Sequence, residues 1–556
     1  MEIEKRHLLT GILICSIISS ITLFIYSHQF VNVEVTAKWL VLFLYLGVMG
    51  IVYSLFSQKI NFPALPIFFL LIGCFLLVFI KDWLSSGINL SLLTYLCGLV
   101  LLFLIIQQIT ARCAPQHLFG VIIVFAVATS LHGILQYTGV IHSNKGIFSV
   151  TGSFDNPAGF TVALACVLPL CFYFINGTFS KYLKYMAMIA SGIIAISVFL
   201  SGSRAGMVAS VVAIAGWLVS KLKISRTISA LILAFIFLTL SLGLYFFKKD
   251  SANGRLLIWR STLDMVSDKP IMGHGQGAFQ AKYMLYQADY FKTHPESQFA
   301  QFADNTLFPF NEYLLVLSEH GITGLSMIIL LAFLLVRAYR RNRNDERLVA
   351  LLSLLALSVF SFFSYPFKYP FTWALMFLNI TIIGNSKHQK GWIPCASVFM
   401  ISSLLLAYTS ILIYAETRWN NIAHRSLSGQ THKVLPEYDK LYRLLGKNGL
   451  FLYNHAAELN EAKEFEKSNV IFKRCTLYFN DMDVQMLLAN NYRELGKYVE
   501  AEQHLKMAAD MCPARFMPMY ELVKLYETIN RIDEALTTAH IIVNKDVKIS
   551  SSTLPR

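Results

Sequence analysis

Charge is scarce in this chain. Lys, Arg, Asp and Glu together make up 14% of its 556 residues, against about 25% in a soluble domain. Hydrophobic residues reach 55%, and mean hydropathy is +0.54. A deficit of that size excludes an ordinary soluble globular protein. Apolar runs long enough to cross a bilayer point instead to an integral membrane protein. Acidic residues are the scarcer sign, 33 against 47 basic, for a net charge of +14. In a soluble protein that excess would suggest a nucleic-acid partner. Here the basic residues sit in short loops between apolar runs, with no patch of interleaved stacking aromatics, so no nucleic acid is expected.

Other absences narrow the chemistry. The nine cysteines show neither metal nor disulfide spacing. Cys15, Cys74, Cys97, Cys166, Cys171 and Cys395 fall in apolar spans, as small hydrophobes. Cys475 and Cys512 lie in a polar tail, where a disulfide and two free thiols are both compatible with the sequence. No His-Glu-x-x-His and no nucleophile elbow occurs, which removes support from metalloprotease and serine hydrolase readings. The only Asp-x-Asp pair, Asp481-Met-Asp483, reads as a solvated turn, so a metal-dependent nucleotide-sugar transferase loses support too. No cofactor and no metal site is expected. No small-residue cleavage site follows the first apolar run, so residues 8–26 read as a retained transmembrane helix rather than a signal peptide.

What is present is an all-α pattern of about thirteen apolar spans. They run over 8–26, 38–56, 63–80, 89–107, 118–138, 157–176, 184–202, 205–221, 227–247, 320–338, 348–364, 369–384 and 394–414. Basic residues alternate with this pattern. Lys5, Arg6, Lys59, Arg112, Lys181, Lys184, Lys221, Lys223, Arg226, Arg337, Arg340, Arg341, Arg343, Arg347, Lys387 and Lys390 fall on one side. The other side has few outside the long loop: Lys38, Lys81, Lys145, Arg204 and Lys368. The positive-inside rule then puts the 248–319 loop and the C-terminal tail on the outer face. Four regions follow: N-terminal transmembrane helices (1–247), an outer catalytic loop (248–319), C-terminal transmembrane helices (320–414) and a helical tail (415–556). Ionisable residues are almost absent within the spans and no repeat relates them, which argues against a transporter.

The tail repeats. Tyr492-Arg-Glu-Leu-Gly-Lys-Tyr498-Val-Glu-Ala501 aligns with Tyr526-Glu-Thr-Ile-Asn-Arg-Ile532-Asp-Glu-Ala535, and a looser copy covers 456–472. That period resembles the tetratricopeptide repeat, a stacked helix pair that usually holds a partner segment. A plain helical bundle is the alternative.

Several segments carry candidate chemistry. Arg204 stands in Ser201-Gly-Ser-Arg-Ala-Gly206 at the mouth of a span. There it could anchor at the interface or clamp phosphate with its planar fork of donors. Arg255 and Arg260 flank Trp259 on a short amphipathic helix that could equally lie on headgroups. Pro270-Ile-Met-Gly-His-Gly-Gln-Gly-Ala-Phe279 lacks the spacing of a P-loop or dinucleotide fingerprint; its alternating glycines mark a close approach of backbone to something. Gly152-Ser-Phe-Asp-Asn-Pro157 reads as a capped helix start, whose positive end could hold an anion. His132, within a span, reads as a buried histidine satisfied by a neighbour. His274, His294 and His320 lie in or beside the loop, where they could exchange protons near neutral pH.

Taken together, Ser-Arg-Ala-Gly at the mouth of a span, Arg255…Trp259 with Pro270-x-x-Gly-x-Gly-x-Gly-x-Phe279, and Phe310-Asn-Glu-Tyr-Leu…Glu319-His-Gly-Ile-Thr-Gly-Leu325 resemble the O-antigen ligase and polymerase superfamily. That superfamily includes the bacterial protein O-oligosaccharyltransferases, and some members carry tetratricopeptide tails. The resemblance covers roughly residues 120–385. It implies a multi-pass protein of the bacterial inner membrane, of the GT-C kind, with loop and tail in the periplasm. Such an enzyme moves a glycan en bloc from a polyprenyl diphosphate to a hydroxyl of lipid A core or of a protein Ser/Thr, without metal or cofactor. Its partners would be the membrane, the lipid-linked glycan, the acceptor and a protein bound by the repeats. It casts Arg204, with Arg255 or Arg260, as the diphosphate clamp, and Asn156, Gly275, Gly277 and Asn311 as donor contacts. Where the family motif has a histidine, this chain has Phe310, which cannot take a proton. Glu312 is the favoured replacement, with His294, His320, Glu319 and Asp304 as alternatives. An O-antigen polymerase, a glycan exporter and a non-catalytic scaffold are the competing readings.

Overall fold

The computed structural model describes residues 2–56, 60–63, 66–143, 148–222, 224–247, 249–384 and 390–545. Lys59, Lys145, Lys223 and Lys387, used above to orient the spans, lie outside them. The described chain is helical apart from one short antiparallel ladder, Ile60–Pro63 with Lys390–Ile393. This is an all-α, multi-pass membrane protein. Among the described residues ten helices are long and apolar enough to cross a bilayer. They are Lys5–Phe24, Thr36–Phe56, Pro66–Leu84, Leu90–Arg112, Pro115–Tyr137, Pro157–Asn176, Lys181–Leu200, Arg204–Lys221, Glu312–Arg341 and Cys395–Leu445. Two more expected spans, Thr227–Gly243 and Pro370–Gly384, are apolar but shorter. The thirteenth coincides with the helix Asp345–Ser361.

The chain divides into two compact units. The first comprises 1–246, 310–313 and 325–416. Its core surrounds the span 157–176, which is broken in two at Cys166–Val167. Pro169 explains the break, because a proline inside a helix removes a donor and clashes with the preceding turn. A broken helix leaves carbonyls that lipid cannot satisfy. Ser353 Oγ donates to the Cys166 carbonyl at 2.6 Å, and Asn379 Nδ2 donates to Ser353 Oγ at 2.8 Å. The helices Pro157–Ala165 and Arg204–Lys221 touch through Gly206; a Cβ there would lie 2.6 Å from Thr161 Cβ.

The second unit comprises 247–309, 314–324 and 417–556. Its tail contains three successive helix pairs: Gly449–Glu461 with Phe465–Cys475, Met482–Glu494 with Tyr498–Met511, and Met517–Thr528 with Ile532–Val543. Each turn between partners places one residue in the left-handed region, Lys463, Gly496 and Asn530. Each closes with the same long backbone bond: Glu464 N–H to Leu459 O, Lys497 N–H to Tyr492 O and Arg531 N–H to Tyr526 O, at 2.8–2.9 Å. This is the Schellman solution for the last carbonyls of a helix. Cys475 and Cys512 are both buried, and no disulfide joins them in this structure.

One buried group makes this unit sensitive to acid. His455 is 1% exposed and stacks on Tyr438 with ring centroids 5.2 Å apart. Burial pulls its imidazole from 6.5 down to about 4, against a weaker opposing pull from Asp439. The unfolded chain therefore binds the proton first. The contribution is complete above pH 6.5 and is lost as pH falls toward 4, on the order of 3 kcal/mol. Asp481, pushed up to about 6 by burial, acts in the opposite sense, so the comparison must isolate His455. Hydrogen-exchange protection factors over residues 431–475, corrected for the pH dependence of intrinsic exchange, should fall between pH 7 and pH 4.5, and His455→Phe should abolish most of that fall. An unchanged pH response in the variant would refute this assignment.

Candidate functional site

The first unit brings together three segments that are far apart in sequence: 151–156, 310–312 and 364–369. Asp155 and Asn156 precede the helix Pro157–Ala165. Asn156 caps it, its Oδ1 accepting from the amides of Ala158 and Gly159 at 2.8 and 3.0 Å. Its Nδ2 donates to the Tyr365 hydroxyl at 2.9 Å. Asp155 receives Lys368 Nζ at 2.6 Å and the Tyr369 hydroxyl at 2.7 Å. Both members of the ion pair are largely buried. With its carboxylate oxygens taken by Lys368 and Tyr369, Asp155 ties the 151–156 loop to the 364–369 turn.

Two side chains at the start of the helix Thr36–Phe56 hold the flanks of this pair. Trp39 Nε1 donates to the Lys368 carbonyl at 2.9 Å. Lys38, fully buried, donates to the carbonyls of Ile25 and Ser153 at 2.6 and 2.9 Å and to Ser153 Oγ at 3.2 Å. A buried ammonium is tolerated only when acceptors replace its water, and those acceptors fix the 153–156 loop.

The 310–312 segment closes the arrangement. Phe310 has φ +52°, one of three non-glycine residues in the left-handed region among the described residues. The other two are turn residues of the tail. For a bulky side chain this is a true outlier, costing roughly 1–2 kcal/mol. Its ring packs on Tyr365 with centroids 5.4 Å apart. Asn311 is buried and accepts the Tyr313 amide at 3.0 Å, capping the helix that Glu312 opens. Glu312 is 8% exposed, and its Oε1 accepts the Phe367 amide at 3.2 Å. One amide occupies only one of a carboxylate's several acceptor sites. The Asp155–Lys368 pair thus braces the turn that delivers this amide to Glu312. Arg204 begins the helix Arg204–Lys221, whose cap Ser203 accepts the Thr161 hydroxyl at 2.8 Å. The helix Pro157–Ala165 packs against both that helix and the Pro366–Lys368 turn.

The remaining candidates lie in the second unit. Gly273, Gly275 and Gly277 all have positive φ. What the glycine segment approaches is residues 318–323. The amides of His274 and Gly275 donate to the carbonyls of Ser318 and Glu319 at 2.9 Å each. Those of Ile322 and Thr323 donate to Pro270 and Ile271 at 2.8 and 3.2 Å. The Gly275 amide is therefore engaged within the protein, and Gly277 starts the helix Ala278–Thr293. A Cβ on Gly273 would lie 2.5 Å from backbone atoms of Glu319 and His320, and one on Gly321 would overlap the Ile271 carbonyl. Gly321, at φ 64° and ψ −161°, also occupies a conformation open essentially only to glycine. Gly321→Ala should therefore destabilise this unit by about 1–3 kcal/mol from backbone conformation alone. The check is proteolytic cleavage within 270–280, which should become faster; unchanged protection would contradict the pairing.

In the same unit Trp259 Nε1 donates to the Pro309 carbonyl at 3.0 Å. Arg260 lies over the Tyr290 ring at 5.0 Å, and Arg255 is partly exposed. His274 bonds the Met265 carbonyl at 2.8 Å, and burial lowers its pKa. His294 stacks on Tyr290, while His320 Nε2 meets Gln276 at 3.1 Å. Glu319 is buried. Asp304 receives Arg515 Nη2 at 2.9 Å on both oxygens. Beside it Asn305 donates to Asp483 at 2.9 Å, and Gln287 donates to the Met511 carbonyl at 2.6 Å. Loop and tail are thus one folded body, and Asp304 is committed to holding it.

Residues 189–329 match the family model described as O-antigen ligase. The match includes Arg204, the glycine segment and Glu312, and it supports a lipid-linked glycan transferase at a coarse level. No curated protein matches the chain. Sequence reasoning missed Tyr365, Lys368 and Tyr369. Their signal was a charged, aromatic stretch between two prolines, Ser364-Tyr-Pro-Phe-Lys-Tyr-Pro370, joining two apolar runs.

Proposed function

We propose that this protein transfers a glycan en bloc from a polyprenyl diphosphate to a hydroxyl acceptor at the outer face of the bacterial inner membrane. The proposed site lies wholly within the first unit. Glu312 takes the proton of the acceptor hydroxyl. The acceptor oxygen attacks the anomeric carbon as the bond from that carbon to the diphosphate oxygen breaks. The electron pair leaves on the diphosphate, and the fixed charge of Arg204 stabilises it there. Charge placed in advance where negative charge develops is the largest single source of rate in such sites, and guanidinium can supply it without a metal ion.

The observation that carries this reading is the buried Glu312 carboxylate, braced through Phe367 by the Asp155–Lys368 pair, inside a segment that matches the O-antigen ligase family. It gives the site an acid–base group next to Phe310, where the family histidine is missing. Arg255, Arg260, His294, His320, Glu319 and Asp304 belong to the other unit and are not assigned to the reaction. The tail's helix pairs are read as tetratricopeptide-like repeats that engage a protein acceptor or partner.

Deletion of the gene from its host tests the proposal. Lipid-linked glycan should accumulate while glycosylated lipid A core or glycoprotein disappears. Loss of chain length with transfer intact would favour the polymerase reading. Unchanged glycans would leave only the scaffold.

A further inference from the structure

At the end of the first unit that carries Lys5, Arg6 and Arg112 lies a cavity of about 370 Å³, in the size range of small-molecule sites. Its walls come from the helices Glu2–Phe24, Thr36–Phe56, Leu90–Arg112 and Cys395–Arg425. The floor is aliphatic, with Ile14, Leu101 and Leu104. The rim is apolar and exposed at Phe56, 86% accessible. At its mouth Arg112 Nη2 donates to the Tyr53 hydroxyl at 2.7 Å, and Tyr53 donates to Gln108 Oε1 at 2.8 Å. The guanidinium also lies over the Tyr53 ring at 5.3 Å. Arg112 is thereby held at the opening while only one of its five N–H donors is used by that contact. No acidic residue lines the cavity among the described residues, and Lys5 and Arg6 are exposed on the adjoining helix.

We propose that this cleft binds one anionic phospholipid, its phosphate on Arg112 and one acyl chain along Ile14, Leu101 and Leu104. Charge complementarity selects the occupant. An apolar floor inside the bilayer wall calls for an acyl chain, and a lone guanidinium at the interface calls for a phosphate with net negative charge. Basic pockets between membrane helices are the usual sites for such headgroups. The inference is independent of the transferase reading, because none of these residues belongs to the proposed reaction.

Native mass spectrometry of the full chain in detergent tests it, with phosphatidylglycerol and phosphatidylcholine of identical acyl chains as probes. One phosphatidylglycerol should be retained, with at least about fivefold preference over phosphatidylcholine. Arg112→Ala should erase the preference, while Arg340→Ala, outside the cleft, should leave it intact. Equal retention of the two lipids, or equal loss in both variants, would overturn the proposal. Should Arg112→Ala fail to fold, photo-crosslinking of wild-type protein decides. A phosphatidylglycerol probe should label peptides within 7–14, 49–56 and 101–112, and labelling spread over the other spans would refute the site. Glycerol 3-phosphate alone should not compete; competition at equal concentration would mean that a free phosphate site, not a lipid site, is present.

Discussion

Glu312→Gln should lower the rate of glycan transfer by roughly 10²–10⁴-fold, the usual worth of a positioned general base. The substitution is chosen to leave structure alone. A glutamine oxygen still accepts the Phe367 amide that Glu312 Oε1 accepts at 3.2 Å, so the 364–369 turn keeps its anchor. Only the capacity to hold a proton disappears. The loss should fall on kcat, with donor affinity little changed, since an interaction made only in the transition state does not contribute to ground-state binding. A thermal midpoint equal to wild type separates this outcome from misfolding. Activity within tenfold of wild type would remove Glu312 from the reaction. Phe310 belongs to the same experiment. Its φ of +52° is a strain that the surrounding packing sustains, and Phe310→His would place an imidazole in the slot where the related motif has one. If Glu312 has taken over the proton, the double variant Phe310→His, Glu312→Gln should recover part of the lost rate.

Arg204→Ala should be the second large effect, a loss of roughly 10²–10³-fold in turnover, with untransferred lipid-linked glycan accumulating in cells. Arg204→Lys should fall between, because lysine keeps the charge but loses the two-pronged geometry that matches phosphate oxygens. The cap beneath Arg204, Ser203 with Thr161, is untouched by either change, so the helix should stay in place. A transporter or a scaffold would show no such accumulation, and normal glycan levels in Arg204→Ala would count against the clamp.

The helices were legible because bilayer-length apolar runs leave little else for the chain to form. Twelve of the thirteen expected spans coincide with one helix each, and 157–176 with two. In the tail, the two aligned copies set Gly496 opposite Asn530, and both stand in the left-handed region at a turn between helices, as does Lys463. The alternating glycines announced a close approach of backbone without saying to what, and the partner at 318–323 lies more than forty residues on. The web around Glu312 was not readable. Lys38 with Ser153 and Asp155 with Lys368 join residues more than a hundred apart, and no local pattern encodes such pairs. Lys38 and Lys368 had been counted only as the few basic residues of one side. A lysine that is fully buried and one that is ion-paired look identical in sequence; burial and acceptors distinguish them.

The loop and tail also bear on how truncations behave. Asp304 with Arg515 and Gln287 with Met511 make the tail part of the loop's own fold. Removing residues 415–556 would strip partners from the loop, so point variants in the first unit give the cleaner reading of chemistry.

The most direct measurement is single-turnover transfer by purified full-length protein, supplied with a polyprenyl diphosphate-linked glycan and a hydroxyl acceptor. Polyprenyl diphosphate should be released one-for-one with glycosylated acceptor, and Glu312→Gln should abolish both together. Release of neither by the wild-type protein across the candidate acceptors, or equal rates for wild type and Glu312→Gln, would contradict the account.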